Sequence, residues 1–129
     1  MFLLKVEASF DAAHRLPKYN GPCSRVHGHH WVVQATWATD TLGENGIAID
    51  LVALRRLLRQ ALCIYDHQSL NQIMSCTPTS ENLARITFER LQKLDFGSYL
   101  TQVAVEETPG TCAVYCKDKE VTRLPHRGD

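Results

Sequence analysis

The sequence has 129 residues, which suits one domain with a sizeable core and leaves little room for a second. Hydrophobic residues make up 44% and charged residues 22%, as in an ordinary soluble globular protein. Lys and Arg together number 14, as do Asp and Glu, so the formal net charge is zero. Nucleic-acid-binding proteins usually carry a basic excess, so no nucleic-acid partner is expected and an anionic ligand would need a local site.

The N-terminal segment and the cysteines predict a cytoplasmic protein. The apolar run at residues 1–4 ends at Lys5, far short of the apolar region of a signal peptide. No stretch approaches the length of a membrane span, so no membrane partner is expected. The five cysteines are odd in number, and a reducing compartment would keep them as thiols. All except Cys23 sit in apolar runs and are expected to be small core residues.

The first part of the chain predicts strands. Residues 2–10 alternate between two faces and predict a first strand. Residues 11–28 carry prolines and glycines and predict a loop. Residues 29–39 are rich in β-branched and aromatic side chains and predict a second strand. Residues 43–46 predict a turn, after which residues 47–49 are expected to resume the strand.

Two helices are predicted in the middle of the chain. Asp50 is a suitable N-cap for a helix whose apolar face runs from Leu51 to Tyr65. Residues 66–77 predict a loop. Thr77 is expected to cap the second helix, with Pro78 at its first helical position.

The C-terminal part predicts two more strands and completes a single domain. The strands cover residues 99–106 and 111–117, and a turn at 108–110 joins them. Residues 1–117 are expected to form the domain, and 118–129 a polar tail.

The resulting order, β-β-α-α-β-β, predicts an α+β fold. A four-stranded antiparallel sheet would carry two helices on one face. The strands are apolar on both faces, so neighbouring subunits are expected to cover the other face in an oligomer.

The histidines around residue 28 predict a metal site. In an extended chain His27 and His29 share a face, while His30 faces away. His14 lies just past the first predicted strand, which can lie beside the second. Three neutral imidazoles on one sheet face predict a zinc site with its fourth position open, as in catalytic zinc sites. Isolated histidines are more often surface or core residues, and the third histidine and a nearby cysteine argue against that alternative.

Three further sites in the sequence have two interpretations each. Cys23 is either a fourth ligand that makes the zinc structural, or a thiolate acting as base or nucleophile. Asp66 can fix the tautomer of His67 and raise its basicity, although a solvated loop pair is the ordinary alternative. One carboxylate of the Glu106–Glu107 pair could accept two parallel N–H bonds from a planar amidine edge, or both could be solvated.

Six motifs in this order resemble the 6-pyruvoyl-tetrahydropterin synthase / 6-carboxy-tetrahydropterin synthase family. The resemblance covers about residues 5–117. The motifs are Phe10–His14 (FDAAH), Cys23–His29 (CSRVHGH), Ile49–Leu51 (IDL), Asp66–Asn71 (DHQSLN), Pro78–Asn82 (PTSEN) and Glu106–Thr108 (EET).

The resemblance implies a tunnelling (T-) fold, in which three subunits close their sheets into a barrel and two trimers stack as a homohexamer. It also implies roles for individual residues. The metal ligands would be His14, His27 and His29 around Zn²⁺. The catalytic residues would be Cys23 together with Asp66 and His67, of which the last two come from a neighbouring subunit.

The substrate implied by the resemblance is 7,8-dihydroneopterin triphosphate. Glu107 matches the family's pterin anchor. Thr79, Ser80 and Glu81 match the segment that helps to hold the pterin. Arg15 and Lys18 lie close to His14 in the sequence, and their charge alone suggests that they contact the triphosphate.

The spacing between Cys23 and His27 resembles the queuosine-pathway branch of the family. That branch releases acetaldehyde and triphosphate and forms 6-carboxy-5,6,7,8-tetrahydropterin. The alternatives are the tetrahydrobiopterin branch, which makes 6-pyruvoyl-tetrahydropterin, and a non-catalytic pterin-binding T-fold protein. A folate-linked branch places Glu near the cysteine position, and this chain has no Glu between Asp11 and Glu44.

Overall fold

The computed structural model describes residues 1–17, 21 and 25–117. The predicted catalytic residue Cys23, the predicted phosphate contact Lys18 and the predicted tail 118–129 lie outside the described residues. No helix within the described ranges is long and apolar enough to cross a membrane.

The described residues form five strands, three α-helices and a short 3-10 helix. The strands are β1 (Phe2–His14), β2 (His27–Thr39), β3 (Gln68–Ser69), β4 (Leu100–Thr108) and β5 (Thr111–Cys116). The helices are α1 (Leu51–Leu62), α2 (Leu70–Ile73) and α3 (Ser80–Gln92), and the 3-10 helix is Gly97–Tyr99.

All strands belong to one sheet in the order β3-β1-β2-β4-β5. The three neighbouring pairs from β1 to β5 are antiparallel. Helix α1 packs on β1, while α3 packs on β4 and β5, and the two helices contact each other. The predicted α+β fold with two main helices on one face is therefore confirmed.

The predicted strand count and loop at residues 66–77 are wrong. This segment contains β3, which pairs parallel to β1 through Ala12–Gln68 and Ala13–Ser69, and the short helix α2. A two-residue strand and a four-residue helix are too short to produce a hydrophobic period, so the sequence pattern could not indicate them.

The first two strands are longer than predicted, and residues 47–49 do not resume a strand. Strand β1 continues to His14 and β2 begins at His27, with these two residues paired at the end of the ladder. After a turn at Gly46, whose φ is +78°, residues 48 and 49 form a bend that leads into α1.

The predicted cap of the first helix is confirmed, and that of the second is wrong. The carboxylate of Asp50 accepts a hydrogen bond of 2.9 Å from the amide of Val52. Helix α3 begins at Ser80, and its cap is Thr79, whose hydroxyl accepts from the amide of Asn82 at 3.1 Å. The Pro-based signal therefore placed the helix start two residues early.

The core lies between the sheet and the two main helices. Alternate side chains of β1 and β2 point into it, and the rings of Phe10 and Trp31 stack with centroids 6.1 Å apart. The opposite sheet face carries exposed side chains such as Leu3 and Val114. The expectation that four cysteines are core residues is wrong, because Cys76 is only half-buried and the others are exposed, namely Cys63, Cys112 and Cys116.

Candidate metal centre

Three histidines meet where the β1–β2 ladder ends. The antiparallel register pairs His14 with His27 and Ala12 with His29. Because side chains alternate along a strand, all three rings project from the same face, and their centroids lie 4.5 to 5.2 Å apart. His14 is 1% exposed, and the prediction that the three histidines share a face is confirmed.

Backbone carbonyls fix which ring nitrogens carry hydrogen. The Nδ1 atom of His14 lies 2.7 Å from the carbonyl oxygen of Pro78. The Nδ1 atom of His27 lies 2.6 Å from the carbonyl oxygen of Arg25. Carbonyl oxygens only accept, so both Nδ1 atoms donate, and in the neutral rings both Nε2 atoms carry a lone pair. These Nε2 atoms are 2.9 Å apart, an arrangement that a cation shared between them would stabilise.

Glu107 completes the cluster. Its Oε1 atom lies 2.8 Å from Nε2 of His14, 2.9 Å from Nε2 of His29 and 3.9 Å from Nε2 of His27. Strand β4 pairs Glu106 with Val32, which brings Glu107 level with the histidine end of β2. The sequence could not predict this proximity, because it does not give the register between β2 and β4.

The four residues fit a metal ion. One ligand atom from each of His14, His27, His29 and Glu107 lies within 4.8 Å of the other three. The ligand atoms around a tetrahedral zinc ion are about 3.3 Å apart. Although 2.9 Å apart, the buried Nε2 of His29 and Oε1 of Glu107 form no hydrogen bond with any described residue. Both atoms are therefore available to a cation, and three imidazoles with one carboxylate form a donor set that zinc accepts.

The pKa of His29 is lowered from its ordinary value. Burial is the main cause, and the neighbouring His27 and His14 lower the pKa further, whereas Glu107 acts in the opposite direction. The neutral form of His29 is thus favoured near neutral pH, and a neutral imidazole is the form that binds a metal.

Trp31 supports the histidines from within the core. Its ring packs edge-on against His14 and His29, with centroid distances of 4.9 and 5.6 Å. Its indole N–H donates to the carbonyl of Ala12 at 3.2 Å, which fixes the ring next to β1. An apolar ring, held by a hydrogen bond to β1, therefore packs against two of the three histidines.

Asp66 and His67 lie together but contact β1 rather than the histidine cluster. Asp66 accepts a hydrogen bond from the amide of Asp11 at 3.1 Å, and the amide of His67 donates to the carbonyl of Asp11 at 2.7 Å. Nε2 of His67 is 3.6 Å from the Asp66 carboxylate. His67 has a φ of +57°, and its side chain is 81% exposed. Residues 63–67 form a turn, which lets these two adjacent side chains approach each other.

The remaining predicted site residues line the start of α3. Thr79 caps the helix, Ser80 is half-buried in its first turn and Glu81 is exposed. Their neighbour Pro78 is buried and holds His14 through its carbonyl, which links this segment to the cluster. The side chain of Arg15 is exposed and follows His14 directly.

Two polar contacts near the cluster involve residues to which the sequence assigned no role. His30 faces away from the cluster, as predicted, and its Nδ1 lies 2.8 Å from the carboxylate of Asp11. Asn71 binds both main-chain polar groups of Arg15. The only signal for Asn71 was its place in a motif, which gave no contact.

Comparisons with known proteins decide the family. A sequence profile described as 6-pyruvoyl tetrahydropterin synthase matches residues 3–118. The chain belongs to this family. The resemblance drawn from six motifs is therefore confirmed.

Relatives in the family carry two kinds of name. The 6-carboxy-5,6,7,8-tetrahydropterin synthase of Bacillus subtilis is 32% identical over 126 residues, covering 88% of this chain and 84% of that protein. The protein of the same name from Synechocystis is 34% identical over 121 residues, covering 89% and 93%. A putative 6-pyruvoyl tetrahydrobiopterin synthase of Caenorhabditis elegans is 32% identical over 128 residues, covering 83% and 89%.

A solved structure confirms the tunnelling fold of the family. The 6-pyruvoyl tetrahydropterin synthase of Caenorhabditis elegans superposes with a TM-score of 0.82 at 28% identity. The superposition covers 91% of this chain and 96% of that one.

Proposed function

We propose that this protein is a zinc-dependent lyase that converts 7,8-dihydroneopterin triphosphate to 6-carboxy-5,6,7,8-tetrahydropterin and releases acetaldehyde and triphosphate. The observation that carries the proposal is the convergence of three imidazole Nε2 atoms and one carboxylate oxygen at the end of β1 and β2. The names of the relatives at 32% and 34% identity support this product.

His14, His27 and His29 would hold the zinc ion. Bound zinc supplies Lewis-acid chemistry, polarising a substrate oxygen and making neighbouring protons more acidic. The protein keeps the ligands in place through the carbonyls of Pro78 and Arg25, since these bonds fix the ring orientations.

Glu107 would anchor the pterin. A carboxylate can accept two parallel N–H bonds from the amidine-like edge of the ring. Because Oε1 of Glu107 already lies against His14 and His29, a pterin held by this carboxylate would have its side chain beside the metal. The carboxylate of Glu107 is also close enough to the three histidines to be a fourth metal ligand. An experiment can separate this role from that of pterin anchor.

Proton transfer would be carried out by Cys23, Asp66 and His67. The carboxylate of Asp66 lies 3.6 Å from Nε2 of His67 and would orient the imidazole. The exposure of His67 and its contacts with β1 support a role in the site of a neighbouring subunit. We therefore propose a homo-oligomer, in the form of a hexamer of two trimers. We also propose that the side chains of Thr79, Ser80 and Glu81 help to hold the substrate.

Product analysis tests this proposal. Zinc-loaded protein is incubated with 7,8-dihydroneopterin triphosphate, and the products are identified by mass spectrometry. Acetaldehyde with 6-carboxy-tetrahydropterin is expected. Formation of 6-pyruvoyl-tetrahydropterin would instead place the chain with the Caenorhabditis elegans relatives, and no turnover would refute the lyase.

Two neighbouring histidines provide matched variants for this assay. His29→Ala should abolish turnover and lower zinc content, because it removes one inward-facing ligand. His30→Ala changes the same residue type one position further along, on the opposite sheet face, and should retain both.

A further inference from the structure

Asn71 binds the main chain immediately after the first metal ligand. Its Oδ1 accepts a hydrogen bond of 2.8 Å from the amide of Arg15, and its Nδ2 donates one of 2.9 Å to the carbonyl of Arg15. A single side chain thus satisfies both polar groups of one residue, as a paired strand would do.

The location explains why this contact is needed. The ladder between β1 and β2 ends at the pair His14–His27, and the short parallel pairing with β3 ends at Ala13. The described residues give Arg15 no strand partner on either side. The side-chain amide of Asn71 makes the hydrogen bonds to Arg15 that a neighbouring strand would otherwise make.

The same side chain also attaches segment 66–71 to the residue that follows β1. Segment 66–71 is attached to β1 at its beginning, where Asp66 and His67 bind the main chain of Asp11. Asn71 attaches the segment at its end. Segment 66–71, which carries Asp66 and His67, is therefore fixed relative to the end of β1, which carries His14.

We infer that Asn71 is a positioning residue for the metal group, acting through the main chain of Arg15 on His14. This inference rests on the proposed function, because it takes the histidine cluster as the metal site. His14 is buried, with its ring held at Nδ1 by Pro78 and its main chain held next door by Asn71. Loss of the Asn71 contacts frees the strand end and lets Nε2 of His14 leave the position that the ion needs.

Two substitutions separate the two hydrogen bonds. Asn71→Ala removes both. Asn71→Asp keeps an acceptor for the amide of Arg15 but loses the donor and sets a carboxylate against the carbonyl. Gln72→Ala is the control, since Gln72 is exposed on the same short helix and makes no side-chain hydrogen bond to the described residues.

Zinc affinity, measured by competition with a chelator, is the first readout. Partners that orient metal ligands typically contribute about ten- to a hundredfold in affinity, and Asn71→Ala is expected to lose about tenfold. Asn71→Asp should lose less and Gln72→Ala nothing. A thermal melt of each metal-free variant reports global stability separately. Unchanged zinc affinity in a folded Asn71→Ala protein, or in folded Asn71→Asp if the first variant does not fold, would overturn the inference even if Tm fell.

Hydrogen exchange in the metal-free protein is the second readout. The amide of Arg15 should exchange about tenfold faster in Asn71→Ala, which corresponds to the loss of one hydrogen bond, and should stay protected in Asn71→Asp. Equal exchange rates of the Arg15 amide in wild type and Asn71→Ala would also refute the positioning role of Asn71. Wild-type protein that binds zinc but forms no pterin product would defeat the proposed function while leaving both comparisons valid.

Discussion

At the scale of single residues, the site depends on where hydrogen atoms sit on two imidazoles. The carbonyls of Pro78 and Arg25 accept from Nδ1 of His14 and His27, which leaves the Nε2 lone pairs directed at each other. Such an arrangement is unfavourable alone and favourable around a cation, so the fold itself prepares a ligand set. The sequence predicted the three histidines from spacing, but the carbonyl partners depend on loop conformation and gave no pattern.

Glu107→Gln separates the two possible roles of this carboxylate. As a pterin anchor, Glu107 loses its charge-assisted hydrogen bonds in the variant, and kcat/KM should fall at least about tenfold. Zinc content, measured by atomic absorption, should remain one ion per chain, since three histidines suffice. Loss of zinc with unchanged pterin binding would show a fourth ligand instead. Glu106→Gln is the matched control, because it alters the neighbouring residue of the same type.

At the scale of elements, sequence reasoning succeeded where a pattern spans many residues. Strands β1 and β2 and helix α1 were predicted because alternation or a helical period repeats over nine or more positions. The strand ends were missed, because His14 and His27 belong to the ladder through pairing with each other rather than through local preference. The approach of Glu107 depends on register, which only the folded sheet supplies.

The start of α3 can be tested by a pair of threonine variants. Thr79→Ala should lower the free energy of unfolding by about 1 kcal/mol, because its hydroxyl caps the amide of Asn82. Thr77→Ala should have little effect, since Asn82 binds the Thr77 carbonyl and not its side chain. Urea denaturation of both variants measures the difference. A larger loss in Thr77→Ala would restore the cap predicted from the Thr-Pro signal.

At the scale of the whole molecule, the hydrophobic core and the histidine cluster contribute separately to the structure. Buried side chains such as Trp31, Leu54 and Phe88 fill the space between sheet and helices without any metal. The histidines lie at one end of the sheet, next to this core. A catalytic metal in such a place should be removable without unfolding, unlike a structural zinc that holds a small domain together.

Chelation tests this separation. Removing zinc should abolish turnover while the far-ultraviolet circular dichroism spectrum stays essentially unchanged, and adding zinc back should restore activity. Cooperative unfolding on chelation would instead support the alternative in which Cys23 closes a structural site. The spectrum of a cobalt-substituted protein gives an independent check, because a sulfur ligand adds an intense charge-transfer band.

The position of His67 leads to a prediction about the assembly. Its side chain is exposed and its contacts are with Asp66 and β1, so in the proposed oligomer it serves the metal group of a neighbour. His27→Ala and His67→Ala proteins should each be inactive alone. Co-refolded in equal amounts, they should regain about a quarter of wild-type activity, because random assembly pairs an intact metal group with an intact neighbouring His67 at that frequency. If both residues served the same site within one chain, every mixed site would lack one of them, and activity would stay at the level of the separate variants.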